Sequence, residues 1–274
     1  MSEQIAFIGA GNMAGALIGG LLADGIPAAR LLASDPDPAK CAALSAATGV
    51  RTVQDNNAAV GDAGLVVLAV KPQVLKPVAQ SIAAAVQAHK PLVVSIAAGI
   101  RCDALDAWLG GNVALIRTMP NTPAMLQAGA TALYATAAVS QAQRDQAESL
   151  MRAVGLTQWL EDEALMDAVT ALSGSGPAYF FLVIEAMQAA GRSLGLTDET
   201  ARLLTLQTAL GAARMALESD EDAELLRRRV TSPGGTTERA IATLEDGGLR
   251  DLFLRAMKAA RDRSVELSAE LGAA

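Results

Sequence analysis

Ile5-Ala6-Phe7-Ile8-Gly9-Ala10-Gly11-Asn12-Met13-Ala14-Gly15 runs from an apolar strand into a glycine turn with the spacing G-x-G-x-x-A. Gly9 permits a tight turn out of the strand. Gly11 lacks a Cβ, so a pyrophosphate can approach its backbone. Ala14 is small enough for the next helix to pack on the strand. The N-terminus of that helix offers free N–H groups and a positive dipole end to phosphates. Leu17, Ile18, Leu21 and Leu22 give the helix an apolar side. A strand before the turn and an amphipathic helix after it are the context in which this spacing binds a dinucleotide. A purely structural strand-to-helix turn is the alternative.

Working outward, apolar runs at 5–8, 31–34, 65–70, 92–96, 113–118, 130–134 and 157–160 read as strands. Helices fill most of the gaps, for example 72–89 and 141–154. Several strands are continuous apolar runs, as in a parallel sheet covered on both faces. Strand–helix alternation from a glycine turn predicts an α/β Rossmann-type N-terminal domain over 1–160. After Leu160 helices dominate, which predicts an all-α C-terminal domain over 161–274. One helix begins near Pro177, a proline suited to a first helical turn, and is apolar on nearly every side. It should be buried on most of them, in a subunit interface or as a central core helix. Further helices are expected over about 197–217, 238–244 and 249–271.

Composition narrows the class. The chain has 274 residues, net charge −7, 51% apolar residues and two cysteines, Cys41 and Cys102. The negative charge argues against binding nucleic acid or an anionic membrane surface. The apolar runs 65–70, 92–94 and 178–184 stop short of the roughly 18 residues that span a bilayer. No basic segment precedes an apolar one at the N-terminus, so no signal peptide is expected. The cysteines lack metal-ligand spacing and are expected to be reduced, which fits a soluble, cytoplasmic protein. Glu224 and Arg228, four apart, have the spacing of a helical ion pair.

What is missing constrains the chemistry. The one histidine, His89, falls at an expected helix end, where a surface residue is expected. No Ser-His-Asp, Cys-His or metal-ligand constellation can be assembled. Neither Tyr134 nor Tyr179 has a lysine four residues on. A reaction here must work without a strong side-chain acid–base pair. Hydride transfer from a bound nicotinamide fits, because the cofactor carries the difficult chemistry.

Four loops could face a ligand. Val70-Lys71-Pro72 and Ser95-Ile96-Ala97-Ala98-Gly99 follow apolar strands, at the carboxyl edge where open α/β sheets bind ligands. A solvated lysine and plain close packing explain them as well. Arg117-Thr118-Met119-Pro120-Asn121-Thr122-Pro123 is stiffened by two prolines and can equally be a rigid linker. Thr231-Ser232-Pro233-Gly234-Gly235-Thr236-Thr237 precedes a helix. Its backbone N–H groups and hydroxyls suit a carboxylate, or a plain N-cap. Ser173-Gly174-Ser175-Gly176-Pro177 has the same dual reading.

These residues together resemble the pyrroline-5-carboxylate reductase family over essentially the whole chain. The resemblance rests on IAFIGAGNMAGAL at the start, VKPQ at 70–73, SIAAGI at 95–100, RTMPNTPA at 117–124, ALSGSGPAYFF at 171–181 and VTSPGGTTERAI at 230–241. It implies a reductase that passes hydride from NADPH or NADH to the C=N carbon of 1-pyrroline-5-carboxylate, giving L-proline. It implies an interlocked homodimer of the helical domains, with dimers that often assemble into rings. Ser232, Gly234, Gly235, Thr236 and Thr237 would hold the substrate carboxylate at the dimer interface. Thr237 would hydrogen-bond the ring nitrogen and is the candidate proton donor. Gly9, Gly11, Asn12 and Met13 would meet the pyrophosphate. Val70, Lys71, Pro72, Ala97 and Ala98 would line the cofactor, with Asn56 near the adenosine ribose.

The second strand closes on Ser34 and Asp35. Asp35 is 20 residues beyond Gly15, where an acid commonly binds the ribose 2′-hydroxyl of NAD. Many relatives carry an uncharged or basic residue there. A carboxylate would repel a 2′-phosphate unless it points away or Lys40 compensates, so NADH is expected to be usable. Two other readings stand beside the reductase. A β-hydroxyacid dehydrogenase would need a lysine in the helical half, yet none occurs between Lys90 and Lys258. A non-catalytic dinucleotide-binding regulator would not need the 231–237 loop.

Overall fold

Along the first strand, Ile5 and Phe7 face one apolar layer while Ala6 and Ile8 face another. That period of two, with both faces buried, is why the strand reads as an unbroken apolar run. The computed structural model describes residues 4–273. Strands β1 (Gln4–Ile8), β2 (Leu31–Ser34), β3 (Arg51–Val53), β4 (Ala63–Leu68), β5 (Leu92–Ser95), β6 (Leu115–Met119), β7 (Gly129–Ala135) and β8 (Gly155–Trp159) form one sheet. Their order is β3-β2-β1-β4-β5-β6-β7-β8. Between them run α1 (Asn12–Ala23), α2 (Pro38–Thr48), α3 (Asn56–Val60), α4 (Pro72–His89), α5 (Cys102–Trp108) and α6 (Gln141–Arg152). Leu17, Ile18, Leu21, Leu44, Leu150 and Met151 pack α1, α2 and α6 on one face. Val60, Leu75, Ile82, Val86 and Leu105 pack α3, α4 and α5 on the other. This is the three-layer Rossmann-type arrangement.

Local chemistry sets the helix ends. Asp37 caps α2 through the Ala39 N–H, Pro38 takes the first helical position, and Gly49 closes the helix with φ +71°. Ser140 and Gln143 form a reciprocal capping box on α6. α4 opens on Pro72 and ends at His89, which is exposed.

Three expectations need correction here. β3 was not expected: it is three residues long, lies at the sheet edge and begins with exposed Arg51, so it carries no apolar run. The sheet is not wholly parallel, because β7 runs antiparallel to β6, with Arg117 opposite Tyr134. The third concerns apolar length. Within the helical stretch Glu163–Ser193 an 18-residue window reaches mean hydropathy 1.2, which by length and composition matches a membrane span. Asp167 and Glu185 interrupt the apolar run, while the apolar residues around them keep the average high.

The remaining helices are α7 (Met166–Val169), α8 (Gly176–Ser193), α9 (Asp198–Glu218), α10 (Ala223–Arg229), α11 (Thr236–Asp246) and α12 (Leu249–Ala273), with a π-helical turn at Thr170–Gly174. The chain divides into two compact units. One runs to Ser175 and takes in the chain again from Ala260; the other is Gly176–Ala259. In the second, Glu224 and Arg228 form the expected ion pair at 2.7 Å. α8 does not have the burial expected of it within one chain: Phe180, Phe181 and Leu182 are all exposed. They sit on successive positions, so no single neighbouring helix could cover all three.

Candidate active site

Strand β1 has β2 on one side and β4 on the other: the chain runs outward from β1 through β2 to β3 and then crosses back to β4, so the winding reverses at β1. Such a switch point opens a crevice beyond the strands' carboxyl ends. The glycine turn lies there. The Gly9 N–H donates to the Ser34 carbonyl at 2.7 Å, and the Ala69 N–H donates to the Ile8 carbonyl at 2.8 Å. Gly9 has φ +109°, and a Cβ on it would meet the Ala69 oxygen at 2.7 Å. Only glycine fits. Gly11 differs: a Cβ there would meet nothing within 4 Å. It is the N-cap of α1 and supplies no side-chain cap, so the first N–H groups of α1 face the opening. Gly11 and Asn12 are exposed, Met13 is half-buried and Ala14 is fully buried. An open space in front of an uncapped helix start suits a pyrophosphate.

Val70 lies against the turn, since its Cγ1 would be 3.1 Å from a Gly9 Cβ. Lys71 is exposed and forms the N-cap of α4, with Pro72 first in the helix. Beyond β5, the Ala97 N–H donates to Ser95 Oγ at 3.3 Å, and Thr118 Oγ1 donates to the Ser95 carbonyl at 3.0 Å. Ala97 is buried and Ala98 half-buried, so this loop is held from beneath.

At the end of β2, Ser34 Oγ donates to Asn56 Oδ1 at 2.8 Å. Asp35 is buried, and its carboxylate turns toward the protein. Oδ2 accepts the Ala10 N–H at 3.1 Å, Oδ1 accepts the Asp37 N–H at 3.0 Å, and Lys40 Nζ stands 3.6 Å from Oδ1.

The proline-stiffened loop after β6 is more than a linker. Asn121 Nδ2 donates to the Ser173 carbonyl at 3.0 Å, and its Oδ1 accepts the Ala130 N–H at 2.9 Å. Arg117 is buried and donates to Glu163 Oε1 at 2.9 Å, which also accepts the Cys102 N–H at 2.8 Å. Burial first, and then Glu163, push the Cys102 thiol up, so it stays protonated and unreactive at neutral pH. Neither Glu163 nor Asn121 was singled out from the sequence. A signal for Glu163 exists: Arg117 falls inside an apolar strand, and a buried guanidinium requires an acid.

In the helical unit, α11 begins at Thr236, two residues earlier than expected. Its N-cap is Gly235, with no side-chain cap. The plain N-cap alternative is therefore not realised. Gly234 has φ +72°, and its N–H donates to Glu238 Oε2 at 2.7 Å. The Gly235 N–H donates to the Ser232 carbonyl at 3.0 Å. Ser232, Gly234 and Thr236 are exposed, Thr237 half-buried. The loop is a second uncapped helix start, lined by hydroxyls.

Comparisons with known proteins agree with this anatomy. Residues 163–267 match the family described as pyrroline-5-carboxylate reductase dimerisation, and residues 4–99 match NADP oxidoreductase coenzyme F420-dependent. The pyrroline-5-carboxylate reductase of Pseudomonas aeruginosa is 56% identical over 271 residues, 99% of each chain. The solved pyrroline-5-carboxylate reductase of Coxiella burnetii superposes with TM-score 0.94 at 47% identity, covering 97% of this chain and 99% of that one. The Plasmodium falciparum enzyme, solved with NADP bound, gives TM-score 0.86 at 27% identity, covering 97% of this chain and 98% of that one. With a relative this similar along its full length, the chain belongs to the pyrroline-5-carboxylate reductase family.

Proposed function

We propose that the chain reduces 1-pyrroline-5-carboxylate to L-proline, with residues 1–160 holding the dinucleotide and residues 161–274 serving substrate binding and self-association. The bound nicotinamide, from NADPH or NADH, supplies the hydride. The uncapped start of α1 would hold the pyrophosphate at Gly11, Asn12 and Met13, with Val70–Pro72 and Ala97–Ala98 as the neighbouring walls. Asn56 would meet the adenosine ribose, with the buried Ser34 hydroxyl holding its side-chain amide from behind. Inward rotation of Asp35, countered by Lys40, supports use of both cofactors, because the carboxylate then presents little charge to a 2′-phosphate.

The observation that carries the substrate reading is the uncapped start of α11. Its amides and the hydroxyls of Ser232, Thr236 and Thr237 would clamp the substrate carboxylate. A cyclic imine that arrives protonated at nitrogen accepts hydride without a strong protein acid. Thr237 Oγ1 would hold that nitrogen and is the candidate proton donor, while the loop supplies orientation. No histidine or lysine is needed, which fits a chain whose one histidine ends α4.

The exposed apolar face of α8 supports a homodimer, and a ring of such dimers is the larger assembly we propose. Two buried free cysteines suit a reducing compartment, in line with a cytoplasmic reaction. The test is Thr237→Ala against Thr237→Ser. Alanine should lower kcat/KM for the imine by about 100-fold, with the fold intact and the cofactor KM unchanged; serine should restore most of it. Unchanged turnover in Thr237→Ala removes the hydroxyl from the mechanism.

A further inference from the structure

Asp35 occupies the position where an acid would be expected to hold the cofactor ribose, yet the structure gives its carboxylate other partners. The residue is only 6% exposed. One oxygen takes the Ala10 N–H at 3.1 Å, across 25 residues of chain. The other takes the Asp37 N–H at 3.0 Å and faces Lys40 at 3.6 Å. Ala10 is the residue between the two glycines of the turn. The Asp35 backbone N–H in turn donates to the Val53 carbonyl at 3.2 Å, so the carboxylate is mounted on the β2–β3 ladder. A buried carboxylate tied to two amides and a cation is a fixed support: rotating it toward solvent would strip both amides of their acceptor and separate the ion pair.

We propose that Asp35 is a positioning residue for the glycine turn and not a ribose ligand. It acts through Ala10, by fixing the peptide between Gly9 and Gly11 and with it the direction in which Gly11, Asn12 and Met13 present their amides. The pyrophosphate is common to NADH and NADPH, so this support serves both cofactors alike. Choice between them then falls to the groups on the same rim that remain accessible, the partly exposed Asn56, which takes the hydroxyl of the buried Ser34, and the half-exposed ammonium of Lys40. The inference rests on the reading of the glycine turn as the cofactor site.

The experiment measures KM for NADH, NADPH and 1-pyrroline-5-carboxylate, together with kcat and the cofactor-free melting temperature, in the native protein, Asp35→Ser and Asp35→Asn. Asp35→Ser should raise both cofactor KM values together by about tenfold. The NADPH-to-NADH ratio should stay within about twofold, and the imine KM should not move. Asp35→Asn keeps one acceptor oxygen and should fall between the two; it also serves if the serine variant fails to fold. A shift of tenfold or more in the ratio toward NADPH would make Asp35 a ribose ligand and overturn the proposal. So would unchanged cofactor KM values, or a lowered melting temperature with unchanged KM. Failure of the native protein to oxidise either cofactor is a different result: it would remove the reductase reading itself.

Discussion

Arg117 Nη1 and Glu163 Oε1 lie 2.9 Å apart across 46 residues of chain, and the two residues are only 4% and 9% exposed. The pair joins β6 to the turn that follows β8, and the same Glu163 oxygen holds the first N–H of α5. Removing the acid would leave a buried guanidinium and an unmade backbone bond. Glu163→Ala should therefore cost about 3–5 kcal/mol of unfolding free energy in urea titrations. Glu163→Gln, which keeps an acceptor, should cost about 1–3 kcal/mol. A loss under about 1 kcal/mol in the alanine variant would mean the pair is not satisfied as described.

The two glycines of the opening turn should fail in different ways. Gly9→Ala places a methyl 2.7 Å from the Ala69 oxygen at φ +109°, so soluble folded protein should be lost. Gly11→Ala meets no protein atom within 4 Å, so its melting temperature should stay close to the native value. Its methyl would instead occupy the approach to the α1 amides, raising KM for both cofactors by about tenfold or more. Equal melting losses in the two variants would contradict this division.

Glu148 gives a pH dependence with a definite sign. Its carboxylate accepts the Trp159 indole N–H at 2.9 Å and Arg152 Nη2 at 2.7 Å. These contacts, the indole first, hold its pKa below the ordinary 4.5. The unfolded chain therefore takes up the proton more readily than the native one. Stability from this group is complete above the unfolded value and is lost as pH falls through the native one. Glu148→Gln should lower stability by about 1 kcal/mol at pH 7. The gap from the native protein should narrow in parallel urea titrations as pH falls below the ordinary carboxylate range and Glu148 takes up its proton. A gap that does not narrow with acidification would assign the effect to packing.

Phe181, 65% exposed on α8, tests self-association. Phe181→Glu sets a charge on the apolar face and should turn the sedimentation behaviour from dimer to monomer, with helical content retained. A variant that stays dimeric would move the interface elsewhere.

The β1 strand and the glycine turn were legible because both are local: an apolar run and a G-x-G-x-x-A spacing lie within 11 residues. The span of α4, 72–89, was legible for the same reason, opening on a proline and running in helical period. β3 was hidden because Arg51-Thr52-Val53 owes its strand state to pairing with β2, which no local pattern announces. The antiparallel turn of β7 was hidden too, since a small-residue strand reads alike in either direction. At the site, residue types marked the 231–237 loop, but not that Gly235 would leave its helix uncapped. The orientation of Asp35 depends on Ala10 and Asp37 together, a three-body arrangement that a 20-residue spacing cannot encode.

The apolar face of α8 also makes stability a matter of mass action. Where a second copy covers Phe180, Phe181 and Leu182, pairing adds to the stability of the folded chain, and the unfolding midpoint moves with protein concentration. Each tenfold dilution removes about 1.4 kcal/mol per mole of pairs. Dilution then lowers the melting temperature without any change in solvent, and a melting temperature describes the pair only at a stated concentration.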